Sequence, residues 1–286
     1  MVYMAGDNNL SSAGDADLAE MRQIGSSDRV NVVVEFDNAG NNGTRRIHIG
    51  KDGADEVIES LGETDSGSPE VLSSFITWAH ENYPADRYAL ILWNHGGGWE
   101  PSEVDRIARS VNSPGYNGRE LAERSSSTLG RVMFRSSLQR VFSLGSPTER
   151  AICSDDGSGH SLDTIELGNV IATGAETIGQ KFDILGMDAC LMSNLEVAYQ
   201  VRNHVCYVVA SEENEPGDGW PYDRILGRLV ADPTMTPVDL AKIIVTDYIA
   251  WYKERNLGDV VTQAAMDLSK LDQLTGPLDE FAGRLN

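Results

Sequence analysis

The feature that most constrains this fold is a series of short, strongly apolar segments separated by helical stretches. Residues 30–36, 88–93, 182–185 and 205–210 are rich in β-branched, aliphatic or aromatic side chains. Strands of this kind are typical of a sheet whose two faces are both covered by helices, as parallel sheets are. Because amphipathic helical segments alternate with them, the sequence predicts an α/β protein with a mostly parallel, doubly wound central sheet.

Two of these strands lead directly to residues that can perform nucleophilic chemistry. The strand at 182–185 runs into a turn that ends on Cys190, and an amphipathic segment at 191–201 then predicts a helix. The strand at 88–93 is followed by His95 and a run of glycines, a setting that none of the other histidines shares. Parallel strands end at one edge of their sheet, where α/β proteins place ligand sites and nucleophiles. We therefore predict a catalytic dyad, with Cys190 as nucleophile and His95 as general acid and base.

The surroundings of Cys190 fit a reactive thiolate better than those of the other cysteines. A cysteine at a strand-to-helix turn faces a helix N-terminus, which favours the thiolate. The glycine after His95 lets its backbone amide approach an oxyanion, so Gly96 N–H and Cys190 N–H are the predicted oxyanion donors. Cys153 and Cys206 lie in apolar, strand-like segments and are expected to be buried, unreactive thiols.

The charge balance limits the partners that the protein can have. Its 286 residues carry 44 Asp and Glu against 23 Lys and Arg, a formal net charge of −21. This excess argues against nucleic acids and anionic membranes, and it fits substrates with basic side chains. No apolar stretch approaches the roughly 20 residues that a membrane span requires. Three cysteines without a Cys-x-x-Cys spacing predict neither a disulfide framework nor a zinc site.

The whole chain, 1–286, is predicted to form a single domain with one insertion. From about 101 to 150 the sequence is rich in Arg, Ser and Gly, lacks a long apolar strand and contains eight arginines. Such a stretch is typical of a surface insertion at the end of a strand. The chain begins in a strand-like segment and ends in a helical pattern. We therefore expect both termini to be truncated, so the absence of a signal peptide from this sequence says little about location.

Four short blocks together resemble the clostripain-like cysteine peptidases, a family related to caspases and gingipains. They are YMAGDNNL at 3–10, WNHGGGW at 93–99, MDACLM at 187–192 and EPGDGWPY at 215–222. Each block alone is a weak signal, whereas the four in this order span nearly the whole chain outside the insertion. The resemblance implies a caspase-like α/β/α sandwich and an endopeptidase that uses a cysteine and a histidine to cleave after Arg or Lys.

The resemblance also implies a specificity pocket and a maturation step. Asp188, two residues before Cys190, corresponds to a family residue in the pocket for the basic side chain, and Asp218 is a second candidate. A carboxylate binds a guanidinium through charge-assisted hydrogen bonds. Family members often cleave their own precursor, so we expect a zymogen that cuts itself within the insertion, with Arg150-Ala151 as the preferred site. The resulting light and heavy chains are expected to stay associated.

The same resemblance implies a secreted or cell-surface bacterial protein that acts on proteins or peptides with basic residues. It implies no required cofactor, although some members depend on calcium. The acidic stretch at 155–159 is too short for an EF-hand loop. We expect it to be a capped turn.

Two other functions are compatible with parts of the sequence. The string at 95–98 matches the oxyanion loop of lipases and esterases, but their G-x-S-x-G elbow is approximated only at 159–163, where Asp163 replaces the last glycine. A binding protein that keeps the fold without activity would be expected to lose Cys190 or His95, and both are present. Asp188 also has a structural alternative, as a cap of the turn before the predicted helix.

Overall fold

The fold is described from a computed structural model, which covers residues 1–40, 43–51, 53–98, 152–258 and 261–285. The insertion predicted at about 101–150 lies outside these described residues. The described strands are β1 (Val2–Gly6), β2 (Val32–Asn38), β3 (Gly43–Ile49), β4 (Asp55–Gly62), β5 (Ala89–Trp93), β6 (Ile152–Asp155), β7 (His160–Leu162), β8 (Phe182–Asp188), β9 (Val205–Ala210) and β10 (Ala264–Asp267). The described α-helices are α1 (Ser11–Ile24), α2 (Pro69–Asn82), α3 (Thr164–Ile178), α4 (Leu195–Val201), α5 (Tyr222–Ala231), α6 (Pro237–Glu254) and α7 (Asp272–Leu285).

Eight of these strands form the central sheet, in the order β10-β9-β8-β5-β1-β2-β3-β4. The neighbours from β9 through β8, β5 and β1 to β2 are all parallel. Strands β10, β3 and β4 are antiparallel to their neighbours and lie toward the two edges. The predicted α/β class with a mostly parallel central sheet is therefore confirmed.

Helices cover both faces of this sheet and make it the middle of three layers. On one face, side chains of α2, α3 and α4 such as Phe75, Ile171 and Val197 pack against the sheet. On the other face, α1, α5 and α6 supply residues such as Met21 and Tyr248. Burying each such side chain contributes about 1.5–3 kcal/mol. The strands are buried on both faces, which explains why they read as continuous apolar runs.

Local sequence signals account for where several helices begin. Ser68 precedes α2 and its hydroxyl accepts from the Glu70 backbone N–H, with Pro69 in the first turn. Asp163 and Glu166 form a reciprocal capping box at the start of α3. These caps satisfy backbone amides that the helix itself leaves without acceptors.

Among the described helices, none combines the length and apolar character needed to cross a membrane.

A small hairpin of β6 and β7 is fastened beside the carboxyl edge of the central sheet. The Asn94 side chain donates to the Ser154 carbonyl at 3.1 Å and accepts from the Ser154 backbone N–H at 2.8 Å. Asn8 also donates to the Ser154 carbonyl, at 2.9 Å. Ile152 forms an antiparallel bridge with Gly96. These bonds place the hairpin against the turns that follow β1 and β5.

Candidate active site

Cys190 lies just beyond β8, in a turn whose geometry differs from the sequence prediction. Leu191 adopts a left-handed backbone conformation with φ 64°, and its N–H donates to the Glu213 carbonyl at 3.1 Å. Helix α4 begins only at Leu195, where the Asn194 side chain accepts from the Val197 N–H. The prediction of a helix from residue 191 is therefore wrong. Cys190 is not at a helix N-terminus, so the expected dipole stabilisation of its thiolate does not apply.

The backbone of the loop at 211–221 takes the place that we expected for that helix. The Glu215 N–H donates to Cys190 Sγ at 3.3 Å, and the Glu215 carbonyl oxygen lies 3.8 Å from the same sulfur. An N–H donor directed at sulfur favours the thiolate. Cys190 is partly exposed, as a nucleophile must be.

The other two cysteines are held in the thiol form. Cys153 is fully buried in β6, and burial raises its pKa. Burial also raises the pKa of Cys206, which lies partly exposed in β9. Thiolates are the reactive species, so burial disfavours the reactive form of both residues.

His95 reaches the same edge of the sheet from the neighbouring strand. Strands β5 and β8 are parallel, and Trp93 pairs with Asp188 at their carboxyl ends. His95 and Cys190 each follow these paired residues by two positions. The His95 Nε2 lies 2.6 Å from Asn9 Oδ1, in the turn after β1. The topology thus brings both predicted dyad residues to one edge, and Asn9 is an imidazole partner that the sequence did not identify.

Three of the other described histidines have side-chain contacts elsewhere in the structure. His48 stacks on Tyr83 with ring centroids 4.8 Å apart, and the His80 ring bonds the hydroxyl of Tyr88 at 2.8 Å. His160 lies 2.9 Å from Asp65, and this hydrogen bond raises the pKa of His160. These contacts fit the structural roles expected for them.

Gly96 fills a position that has no room for a side chain. A Cβ there would overlap the carbonyl oxygen of Cys190 and would lie 3.0 Å from Ala189 Cβ. The backbone of Gly96 therefore packs directly on the turn that carries Cys190. The two predicted oxyanion amides belong to segments in contact, although their donor roles stay a prediction.

Asp188 ends β8 and points into the protein, where it is 4% exposed. One of its oxygens, Oδ2, accepts from the Trp220 N–H at 3.1 Å and from the Tyr222 hydroxyl at 2.9 Å. Burial raises the pKa of Asp188. Asn194, rather than Asp188, caps the helix that follows this turn, α4. Asp218, the second predicted pocket residue, lies exposed on the same loop as Trp220.

Two further carboxyl groups lie beside Asp188 that sequence reasoning did not identify. Asp17 of α1 is 3% exposed, and its Oδ2 accepts from the Trp93 indole N–H at 2.6 Å. Glu215 contacts the Asp188 carboxyl group through its side chain. The signal for Asp17 was present in the sequence, because it shares the buried face of α1 with Leu18. A carboxylate on an apolar helix face rarely lies there without a function or partner.

The described part of the chain contains no group of three or more His, Cys, Asp or Glu side chains arranged to hold a metal ion. In the acidic turn at 155–159, the two oxygens of Asp155 accept from the backbone N–H groups of Ser66 and Ser158. These protein donors occupy the carboxylate, so the turn does not fit a calcium loop. Ser161 lies in β7 of the small hairpin rather than after a strand of the main sheet, so it is not placed as an esterase elbow.

The proposed cleavage site Arg150-Ala151 lies outside the described residues. The description resumes at Ile152, which is 1% exposed in β6. The strand that follows the predicted cleavage site therefore lies beside Gly96. Cleavage at Arg150-Ala151 stays a prediction.

The three-layer sandwich, with a cysteine and a histidine at the ends of adjacent parallel strands, defines the scaffold class of caspase-like cysteine peptidases. The chain belongs to the clostripain family, whose model matches residues 2–120 and 143–286. It is 28% identical over 262 residues to clostripain of Hathewaya histolytica, across 81% of this chain and 42% of that relative. The chain thus spans about two fifths of the length of this curated relative.

Solved structures agree with this fold. A secreted C11 cysteine protease from Bacteroides thetaiotaomicron, in complex with an irreversible peptide inhibitor, is 26% identical with TM-score 0.68, covering 96% of this chain and 66% of that chain. A second secreted C11 protease from that organism is 17% identical with TM-score 0.71, covering 99% and 69%. An inactive zymogen C11 protease from Parabacteroides distasonis is 22% identical with TM-score 0.65, covering 96% and 62%. The last two likenesses support the fold alone.

Proposed function

We propose that this protein is a cysteine endopeptidase in which Cys190 is the nucleophile and His95 is the general acid and base. The observation that carries the proposal is the pairing of Trp93 with Asp188, which sets His95 and Cys190 at equivalent positions of adjacent parallel strands. The N–H of Glu215 directed at Cys190 Sγ and membership of the clostripain family support the same chemistry.

In the proposed reaction, His95 takes the thiol proton and Cys190 Sγ attacks the carbonyl carbon of the scissile bond. The N–H groups of Gly96 and Cys190 stabilise the oxyanion of the tetrahedral intermediate. His95 then gives its proton to the leaving amine, and a thioester remains on Cys190. Water hydrolyses the thioester with His95 as base, which restores the thiol. Asn9 holds the imidazole through Nε2, so that Nδ1 is the nitrogen that moves the proton.

We further propose that the enzyme cleaves after Arg and, as the alternative basic residue, Lys. The buried Asp188 carboxyl group supports this, because it lies two residues from the nucleophile and can bind a cationic side chain through charge-assisted hydrogen bonds. Asp218 is exposed on the adjoining loop and is proposed to lie at the pocket rim. Proteins and peptides with basic residues are therefore the proposed substrates.

The dyad is tested by comparing Cys190→Ala and His95→Ala with Cys206→Ala on a fluorogenic Arg peptide. Cys206 is a matched control, because it is partly exposed and lies on the neighbouring strand β9. We expect the first two variants to lose nearly all turnover and the control to keep the wild-type rate. Wild-type turnover in Cys190→Ala would refute the assignment. Hydrolysis of a simple acyl ester that survives in Cys190→Ala would instead favour the esterase alternative, and no turnover by any form would favour a binding protein.

The pocket is tested by Asp188→Asn against Asp183→Asn on matched peptides with Arg, Lys or norleucine before the scissile bond. Asp183 is a control at the opposite end of the same strand. We expect Asp188→Asn to lose most of the preference for Arg over norleucine, a discrimination of about 1–3 kcal/mol or more for a charge-assisted pair. A preference that survives in Asp188→Asn would locate the specificity elsewhere.

We also propose that the protein is made as a zymogen and cuts itself at Arg150-Ala151. The new chain would begin one residue before the buried strand β6, which contacts Gly96. The paired hydrogen bonds between Asn94 and Ser154 would then join the light and heavy chains, which supports their continued association. Mass spectrometry should find a new N-terminus at Ala151 in wild type and an intact Cys190→Ala. Arg150→Gln is the matched variant, and an intact but fully active wild type would refute processing.

Secretion or attachment at the cell surface is the proposed location. The description of the Bacteroides thetaiotaomicron neighbour as a secreted protease supports it. Fractionation of the producing cells with an antibody to this chain should recover it outside the cytoplasm. Retention of the active protein in the cytoplasm would contradict the proposal.

A further inference from the structure

Two inward-facing carboxyl groups, those of Asp17 and Asp188, lie against Gly219, and the Glu215 carboxyl group contacts Asp188 beside the proposed nucleophile. A Cβ placed on Gly219 would lie 3.0 Å from Asp17 Oδ2 and 3.1 Å from Asp188 Oδ2. The third group, Glu215, is in hydrogen-bond contact with the Asp188 carboxyl group. We call Asp17, Asp188 and Glu215 the carboxyl cluster. Gly219, with φ 58°, packs closely against Asp17 and Asp188, at a position where any side chain would be crowded.

The protein supplies few donors to this cluster. Asp17 receives the Trp93 indole N–H, and Asp188 receives two donors through one oxygen. Glu215 Oε1 meets only long contacts, 3.5 Å from Trp220 Nε1 and 3.4 Å from Gln263 Nε2. The other oxygen, Glu215 Oε2, is buried and meets no donor among the described residues. Buried polar atoms are rarely left in this state without a ligand, because the cost is about 1–3 kcal/mol or more.

The cluster also has no counter-charge within the described part of the chain. None of its three members forms an ion pair with a described Lys, Arg or His. Among the described residues, the titratable neighbours with the largest electrostatic interactions with the cluster are acidic: Glu20, Cys190, Asp218, Tyr222, Tyr248 and Tyr252. Two carboxyl groups in hydrogen-bond contact need one proton between their oxygens. In the cluster, Asp188 and Glu215 share that proton.

The acid–base properties follow from this environment. Burial and the Asp188 charge raise the pKa of Asp17 to about 9. Burial, followed by the charge of Asp188, raises the pKa of Glu215 well above its ordinary value. The cluster therefore retains protons at neutral pH while its pocket is empty of cations.

We infer that Asp17 and Glu215 complete the specificity pocket around Asp188, and that a guanidinium or ammonium side chain enters it in exchange for the proton shared by Asp188 and Glu215. The inference rests on the proposed function, which supplies the class of ligand. In the exchange, the O–H bond of the shared proton breaks and the proton passes to water. The entering side chain keeps its own protons and its charge, so its positive charge replaces that of the released proton. Asp188 and Glu215 are then both carboxylates and bind the cationic side chain.

A pocket of this kind binds basic ligands more tightly as pH rises. For the exchange of one proton, affinity increases up to tenfold per pH unit until the shared proton is lost from the empty pocket. A ligand of the same shape without charge gains nothing from the exchange. The cluster therefore favours basic side chains, whose binding releases the shared proton, over neutral side chains, whose binding does not.

Calorimetry of the full chain carrying Cys190→Ala measures the released proton directly. Agmatine is the probe, titrated at about pH 6.5 in two buffers of different ionisation enthalpy, and its affinity is measured again at about pH 8. We expect close to one proton released per agmatine bound and at least about fivefold tighter binding at the higher pH. Adding Glu215→Gln should remove most of the proton release, and adding Asp17→Asn should weaken binding several-fold. Glu212→Gln, an exposed neighbour on the same loop, is the matched control and should change neither quantity.

The inference would be overturned if the chain that carries only Cys190→Ala bound agmatine independently of pH and without releasing a proton. This measurement does not depend on whether any variant of the cluster folds. If agmatine binding is too weak to titrate, KM for an Arg peptide should fall with pH over the same range, and a constant KM would overturn the inference equally. Cleavage after Arg with pH-independent affinity would leave the proposed function standing. The absence of any cleavage after basic residues would overturn both.

Discussion

Replacing Asn9 by Ala tests whether a residue outside the proposed dyad holds the imidazole of His95. Asn9 Oδ1 lies 2.6 Å from His95 Nε2, and its turn follows β1, the strand next to β5 in the sheet. The neighbouring Asn8 fixes this turn by donating to the carbonyls of Ala5 and Ser154 and by accepting from the Leu10 N–H. The turn should therefore keep its shape when the Asn9 side chain is removed.

The size of the effect follows from the kind of hydrogen bond that is lost. A neutral hydrogen bond contributes about 0.5–1.5 kcal/mol, and one to a charged group about 1.5–3 kcal/mol. In the proposed reaction the imidazole becomes charged when it takes the thiol proton. Its contact with Asn9 is exposed to solvent, which places the hydrogen bond at the low end of the charged range. We expect a loss of about 1.4 kcal/mol in the transition state, which is about tenfold in kcat. Because Asn9 holds His95 rather than the substrate, KM should change less than about twofold.

The assay is the initial rate of a fluorogenic Arg peptide over a range of concentrations, so that kcat and KM are separated. Asn9→Asp keeps an acceptor oxygen in place and is expected to recover most of the lost rate. Asn203→Ala, at an exposed asparagine far from the turn in sequence, is the matched control and should behave as wild type. A kcat for Asn9→Ala within about twofold of wild type would refute the role, as would failure of Asn9→Asp to exceed Asn9→Ala.

Three further predictions follow from the packing and the buried acids. Gly96→Ala puts a Cβ against the Cys190 carbonyl oxygen, so we expect most activity to be lost with destabilisation of about 1–3 kcal/mol in urea; wild-type activity would contradict the close contact. Tyr222→Phe removes a donor from buried Asp188 and should cost about 1–3 kcal/mol and weaken binding of Arg substrates, whereas unchanged stability and KM would argue against this bond. Burial raises the pKa of Asp17 from 3.8 to about 9, so between these pH values the folded protein keeps a proton that the unfolded chain releases. The unfolding free energy should therefore fall as pH rises over this range, by up to about 1.4 kcal/mol per pH unit. Asp17→Asn should flatten that slope in urea titrations, and an unchanged slope would show that other groups cause it.

The sequence predicted the sheet because its strands are buried on both faces. Segments such as Ala89–Trp93 and Val205–Ala210 carry apolar residues at nearly every position, and tertiary packing reinforces that local preference. The helix predicted from residue 191 failed for the opposite reason. Leu191 takes a left-handed conformation and donates to Glu213, a contact with a loop more than twenty residues away that no local pattern reveals.

The sequence predicts those parts of the candidate site whose positions depend on the order and direction of the strands. It does not predict the contacts that depend on side-chain orientation. Cys190 and His95 follow strands, and parallel strands end together, so their placement at one edge of the sheet could be predicted. Asp17 and Asn9 belong to segments that follow β1, and their contacts with Trp93 and His95 depend on side-chain directions across the sheet edge. The sequence could place Asp17 on the buried face of α1, but its spacing carries no information on the residues that these side chains contact.

One loop, at 211–221, contacts both the proposed nucleophile and the proposed specificity pocket. Its Glu215 N–H is directed at Cys190 Sγ, while the Glu215 carboxyl group contacts Asp188. The Trp220 N–H, near the end of the same loop, donates to Asp188 as well. A movement of this loop therefore changes the environment of the sulfur and the depth of the pocket at the same time. Substitutions that loosen it should lower kcat and raise KM together, whereas substitutions at Asn9, which act through the imidazole alone, should lower kcat and leave KM nearly unchanged.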